Sequence, residues 1–244
     1  MNGSDEMISI QSLTKRFDAL TAVDNITFSV KRGEVLGFLG PNGAGKSTTM
    51  KMVTGYLPIT SGSATVCGYD VENQALESRQ HVGYLPEGAP LYGDMTTEAF
   101  LGFIADVRGY AGEEKTRRIL LAVKRLGLEP VFNRPIETLS KGFKRRVGFA
   151  QAILHDPEVL ILDEPTDGLD PNQKFQVREL IKTMATDKAI VISTHILEEV
   201  SAVCTRAVII ANGKLVFDGT PEELAIRSPS RHLDDVFREL TTKH

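Results

Sequence analysis

Gly40-Pro-Asn-Gly-Ala-Gly-Lys-Ser-Thr48 fits the pattern G-x-x-x-x-G-K-[ST], with Gly40, Gly45, Lys46 and Ser47 in the fixed positions. A triphosphate calls for this residue set. Glycines let backbone N–H groups turn inward around phosphate oxygens with no Cβ in the way. The lysine brings a positive charge to the β- and γ-phosphates, and the hydroxyl of Ser47 reaches a Mg²⁺ ion. The flanks agree. Glu34–Leu39 is a short apolar run suited to a buried strand, and Thr48–Gly55 suits a helix whose positive end faces the phosphates.

Further along, Val159-Leu-Ile-Leu-Asp-Glu164 is an apolar strand ending in two acids. In a parallel sheet that ending sets both carboxylates beside the phosphate loop. Asp163 suits the Mg²⁺ coordination sphere, and Glu164 suits polarising a water for in-line attack on the γ-phosphorus. His195 follows the strand Ala189–Ser193, placed to bond a phosphate oxygen and orient Glu164. Ser140 and Gly142, in Leu-Ser-Lys-Gly-Phe143, offer a hydroxyl and a bare N–H at a helix start. That makes a second phosphate-binding end, in a region too far along the chain to assume it reaches its own phosphate loop.

Composition narrows the class. The 244 residues suffice for one large or two small domains. A net charge of −4 gives no whole-chain case for nucleic-acid binding. The local basic cluster Lys141, Lys144, Arg145 and Arg146 reads as a solvated helix start. The apolar runs fall far short of the roughly 18 residues that span a bilayer. Met1–Glu6 is polar and acidic, so no secretory signal is expected. Cys67 and Cys204 lack metal or redox spacing and read as small core residues of a reduced, cytosolic protein. Action at a membrane would require a partner.

Taken in order, Met7–Leu13, Asn25–Val30 and Ser63–Cys67 read as strands, with a tight turn at residues 31–34. After the strand His81–Pro86 the pattern turns helical over Met95–Arg108, Glu113–Leu126 and Ser140–His155, with Thr96 or Thr97 as a cap. The α/β pattern then resumes. Pro171–Ala185 and Ile196–Val203 read as helices, Arg206–Ala211 and Leu215–Asp218 as a hairpin about Asn212-Gly213, and Thr220–Ile226 and His232–Leu240 as a helical tail.

From Ile8 to about Leu224 the chain resembles the nucleotide-binding subunit of an ATP-binding-cassette (ABC) transporter. The resemblance rests on ordered motifs: GPNGAGKST as Walker A, LSKGF as the signature, VLILDE as Walker B, Gly168-Leu169-Asp170 as the D-loop, and His195 as the switch histidine. It implies an α/β P-loop NTPase fold, a RecA-like core (7–86 and 156–220) with an antiparallel β subdomain, an inserted α-helical subdomain (87–155) and a helical tail (221–244), all in one nucleotide-binding domain. It also implies ATP and Mg²⁺ as cofactors. Gly40, Pro41, Asn42, Gly43, Ala44, Gly45, Lys46, Ser47 and Thr48 would hold ATP, and Phe17 would stack on adenine. Ser47, Asp163 and Glu87 would face the metal, while Glu164 and His195 would be catalytic.

In this family two cassettes pair head to tail around two ATP molecules, so Ser140, Gly142 and Asp170 would act on the ATP of the other chain. The implied partners are a transmembrane permease and a second cassette, identical or different, at the cytoplasmic face of a bacterial inner membrane. No nucleic-acid partner is expected. Two departures narrow the resemblance. Glu87 replaces the usual glutamine, and Lys141 and Phe143 replace Gly and Gln of LSGGQ. Both are similar to ABC-2-type exporters of the gliding-motility branch, as are Pro90-Leu91-Tyr92 and the tail Leu233–Thr241. The alternatives are a soluble ABC ATPase acting on nucleic acid or ribosomes, and a cassette that binds ATP without hydrolysing it. Against the first stand the single cassette and the lack of a long heptad insertion. Against the second stands the full set Lys46, Asp163, Glu164 and His195.

Overall fold

A computed structural model describes residues 5–88, 90–227 and 233–242. Two sheets organise it. The strands β1 (Glu6–Phe17), β2 (Leu20–Lys31), β4 (Ser61–Val66) and β5 (Tyr69–Asp70) form an antiparallel sheet in the order β2-β1-β4-β5. The strands β3 (Val35–Leu39), β6 (Val82–Leu85), β7 (Val159–Asp163), β8 (Ala189–Thr194), β9 (Arg206–Ala211) and β10 (Lys214–Gly219) form the second, in the order β10-β9-β3-β8-β7-β6. All its neighbours run parallel except β10, which returns antiparallel on β9.

The uninterrupted apolar sequences of β3, β7 and β8 follow from their place. Every residue of the three is buried, because both faces of the parallel sheet are covered. Alternate residues of β7 face opposite sides: Val159 and Ile161 join Ile8, Val23 and Phe28 of the antiparallel sheet, whereas Leu160 and Leu162 join Phe100, Ile119 and Val147 from helices. Phe28 stacks on Phe38 at 5.4 Å and ties the two sheets together.

Helix α1 (Lys46–Val53) follows β3 and α2 (Ala75–Gln80) precedes β6. Between β6 and β7 lie α3 (Thr97–Val107), α4 (Gly112–Arg125) and α5 (Lys141–Ile153); α6 (Pro171–Ala185) and α7 (Leu197–Val203) flank β8. Thr96, not Thr97, caps α3, its hydroxyl accepting from Ala99 N at 3.1 Å. Helices α8 (Pro221–Ile226) and α9 (Leu233–Thr242) close on β9 and β10 through Leu224, Val236 and Phe217. His232, the expected first residue of the tail helix, lies outside the described residues. No described helix is long and apolar enough to cross a membrane.

Three sequence expectations are corrected, and two short elements, β5 and α2, were not expected. β1 and β2 outrun the expected strands, because left-handed backbone at Ser12 (φ 51°) and Asn25 (φ 52°) and shifts of register break the alternation without ending the pairing. β5 and α2 carry no readable period. The basic cluster is only half solvated: Arg145 and Arg146 are buried, and Arg146 donates to Leu126 O at 3.0 Å and lies 4.2 Å over the ring of Phe143. Cys67 and Cys204 are half-buried at the edges of the core, with burial pushing their thiols up to about 11 and about 12.

One buried base makes stability depend on pH. His155 donates from Nε2 to Val82 O at 3.0 Å, and burial, aided by Arg108, lowers its pKa to about 4. Unfolded, it would titrate near the usual ~6.5. As pH falls from there toward 4 the unfolded chain takes up a proton that the folded chain refuses, so stability drops by up to about 1.4 kcal/mol per pH unit. Urea unfolding at pH 7 and pH 5 should therefore show a larger loss for the parent than for His155→Gln; equal losses would remove His155 from the account.

Candidate active site

The parallel registers gather the site. Leu39 lies opposite Thr194, and Asp163 opposite Ser193, so the chain after β3, β7 and β8 emerges at one edge of the sheet. From β3 comes the phosphate loop. Gly45 sits at φ 109°, and a Cβ there would lie 2.5 Å from Ala22 O; a Cβ on Gly40 would lie 2.3 Å from Ile210 O. Only glycine fits either position without moving backbone. The Asn212-Gly213 turn braces the loop from behind: Gly213 N donates to Ala44 O at 3.0 Å, and Gly213 O accepts from Asp24 N at 2.8 Å.

Lys46 opens α1 and folds over its own loop, donating to Gly40 O at 2.6 Å and Pro41 O at 3.1 Å. Burial lowers its pKa, and Glu164, Asp163 and Glu87 pull the other way. A cleft of about 410 Å³ opens here, walled by Asn42, Gly43, Gly45, Lys46, Ser47 and Thr48 on one side and by Glu87, Asp163, Glu164, Asp167 and His195 on the other. Gly40, Pro41 and Ala44 support the loop and do not line the cleft.

The two acids differ in surroundings. Asp163 is 2% exposed, and its Oδ2 is buried with no hydrogen-bond partner. Glu164 leaves the strand in left-handed backbone, φ 51°, with its N–H held by Ser193 O at 2.8 Å. For a residue with a Cβ that conformation is strained, and strain of this kind concentrates at functional sites. The carboxylate is anchored on both oxygens. Oε1 accepts from His195 N at 3.2 Å and lies 2.7 Å from His195 Nδ1, and Oε2 accepts from the Thr194 hydroxyl at 3.2 Å. The His195 side chain is 60% exposed and that of Glu164 only 14%. The acid is therefore fixed while the imidazole faces the opening.

The remaining expected residues lie outside the cleft. Phe17 ends β1 at 42% exposure, with Lys15 Nζ 5.1 Å from its ring centre. Ser140 caps α5, its hydroxyl accepting from Phe143 N at 3.3 Å. Gly142 is buried against α6, where a Cβ would meet Gln173 Oε1 at 2.7 Å. Asp170 caps α6 by accepting from Gln173 N at 2.9 Å. Lys141 bridges the two groups of residues, pairing with Asp167 at 2.9 Å.

Sequence reasoning missed Thr194, Asp167 and Arg145. The Arg145 guanidinium donates to Pro86 O at 2.8 Å, to Asp163 O, and to Glu164 O at 2.7 Å, so it fixes the backbone that carries both acids. Thr194 was adjacent to a residue already singled out, and a hydroxyl beside His195 is the signal that would have found it.

A parallel sheet with a phosphate loop after one strand and an acid pair after the next strand but one defines a P-loop NTPase. Residues 23–167 match the ABC transporter family model, and the chain belongs to that family. It is 38% identical over 232 residues to the probable multidrug ABC transporter ATP-binding protein YbhF of Escherichia coli (strain K12), covering 95% of this chain and 40% of that protein. It is 36% identical over 222 residues to the linearmycin resistance ATP-binding protein LnrL of Bacillus subtilis (strain 168), covering 91% and 71%. A solved ATP binding subunit of an ABC transporter superposes with a TM-score of 0.87 at 31% identity, covering 96% of this chain and 99% of that one. The chain spans well under half of YbhF and most of LnrL.

Proposed function

We propose that this chain is the ATP-hydrolysing subunit of a membrane exporter of the ABC-2 type, acting at the cytoplasmic face as one half of a head-to-tail pair of cassettes. The observation that carries the reading is the division of the site. Lys46, Ser47, Asp163, Glu164 and His195 share one cleft, while Ser140, Gly142 and Asp170 lie outside it. A second chain would supply those three. The relatives named for multidrug transport and linearmycin resistance support the exporter assignment.

Within the cleft, Lys46 and the loop N–H groups would hold the β- and γ-phosphates. Mg²⁺ suits the donor set: the unpartnered Asp163 Oδ2 and the hydroxyl of Ser47 would hold it, with Glu87 at the rim. When bound, it neutralises charge on the phosphate oxygens. Glu164 would take a proton from the attacking water, and His195 would orient Glu164 and bond a phosphate oxygen. Phe17, solvent-facing at a strand end, would stack on the adenine.

Glu87 also lines a second, larger groove of about 810 Å³, together with Tyr56, Arg79, Tyr84, Pro90 and Arg108. A permease segment docked there would share Glu87 with the nucleotide cleft, linking closure of the pair to the membrane subunit. Residue 89 of that stretch lies outside the described residues. The division into a RecA-like core (7–86 and 156–220), a helical subdomain (87–155) and a tail (221–244) belongs to the same reading.

Dilution tests the pairing. ATP bound per chain should stay constant as the protein is diluted, while turnover per chain falls. Turnover per chain that holds constant down to the fully monomeric state would overturn the two-chain site. Affinity purification should recover a transmembrane subunit; recovery of ribosomes or DNA instead would overturn the transporter assignment.

A further inference from the structure

Behind Glu164 lies a second carboxylate that the reading above does not use. Glu199, on α7, is 2% exposed. Its Oε2 lies 3.3 Å from the Thr194 hydroxyl, the same hydroxyl that reaches Glu164 Oε2 at 3.2 Å. Ile196 N donates to that hydroxyl oxygen at 3.1 Å. Glu199 Oε1 is buried and has no hydrogen-bond partner.

A threonine hydroxyl has one hydrogen to give and two lone pairs to fill. With both acids ionised, Glu164 and Glu199 compete for the one hydrogen, and the loser faces the hydroxyl's lone pair. Protonation of Glu199 resolves the conflict. Glu199 then donates to Thr194, Ile196 N fills the second lone pair, and the threonine hydrogen is free for Glu164. A protonated Glu164 would satisfy the hydroxyl equally, but Glu164 Oε1 already accepts from His195 N and its side chain is 14% exposed, whereas Glu199 is 2% exposed, so the proton belongs on Glu199.

We propose that Glu199 is a positioning residue for hydrolysis: as a protonated acid it donates to the Thr194 hydroxyl and so commits that hydroxyl's own hydrogen to Glu164. The proposal rests on the reading of Glu164 as the group that polarises the water. The groups facing Glu199 are Lys174 and Arg178 from α6 and Glu164 itself, with Cys204 behind. Arg178 is engaged by Glu198 at 3.2 Å. Burial outweighs the two cations and raises the Glu199 pKa, in keeping with the protonated form.

The test uses steady-state ATP hydrolysis by the full chain at concentrations that permit pairing. Glu199→Met, of similar volume but with no donor, should lower kcat roughly 10-fold, a typical cost for a residue supporting a catalytic group, with KM for ATP changed by less than about twofold. Glu199→Gln, which keeps a donor toward Thr194, should recover most of that loss. In a Thr194→Val background, Glu199→Met should have almost no further effect on kcat. A Gln variant as slow as the Met variant, or a full additional loss in the Thr194→Val background, would overturn the proposal. Should Glu199→Met fail to fold, Thr194→Val against Thr194→Ser reads the same link, since only serine keeps the hydroxyl; equal rates for the two would overturn it. A Glu164→Gln control separates the two levels. If that control stays active, the reading of Glu164 fails; if it is inactive while Glu199→Met keeps the parental kcat, only the present proposal fails.

Discussion

Glu164→Gln is expected to cut ATP turnover by at least about 100-fold, the lower end of what a positioned general base contributes, while ATP still binds. The side chain keeps its shape, so the left-handed backbone at φ 51° and the contact with His195 N survive. An amide oxygen still accepts where Oε1 does. What is lost is the basic lone pair and the negative charge. Losing the charge also removes repulsion toward a triphosphate, so affinity should hold or rise. Turnover and nucleotide binding measured on the same preparation check this. A variant that hydrolyses ATP at the parental rate would remove Glu164 from its assigned role.

Arg145→Met should have the largest effect on stability. The guanidinium is 6% exposed and satisfies the carbonyls of Pro86, Asp163 and Glu164. Methionine fills much of the volume but removes the donor from Pro86 O and from the buried Asp163 O, while Glu164 O keeps the N–H of Asp167 at 3.1 Å. Each unsatisfied group costs about 1–3 kcal/mol, so a total of roughly 2–5 kcal/mol is expected for the two. For a chain of this size that lowers the melting temperature by about 10 °C. Lysine at this position should recover only part, because one ammonium cannot span three carbonyls from two segments with the same fork geometry. A melting temperature for Arg145→Met within a degree or two of the parent would mean that those carbonyls have other partners.

The fold was legible where one local pattern decides one element. Val159–Asp163 is apolar because both its faces are covered, and that is visible in five letters. Pro171–Ala185 begins at its proline and was read to the residue. The antiparallel sheet was harder, since Ser12 and Asn25 adopt a conformation that their side chains do not announce. The six residues of α2 span under two turns, too few to show a period. The site divides in the same way. Lys46, Asp163, Glu164 and His195 stand in recognisable contexts, and the structure brings them to one cleft. Arg145 does not, because what makes it important is three carbonyls at Pro86, Asp163 and Glu164, far from it in sequence. A charged letter in Lys-Gly-Phe-Lys-Arg-Arg reads as solvated until the fold supplies those acceptors.

The strand order has a consequence for how the chain is made. β3 and its phosphate loop leave the ribosome early, yet β3 lies between β8 and β9, and the loop is braced by Gly213. Until those late strands emerge, the five apolar residues of β3 lack both sheet neighbours, and Gly40 lacks the Ile210 backbone it is shaped to meet. Pairings between segments so distant in sequence form slowly and leave apolar strands open to wrong partners. A nascent chain stopped short of residue 213 should therefore be unable to retain ATP, making nucleotide capture a late event that reports completed synthesis of the core.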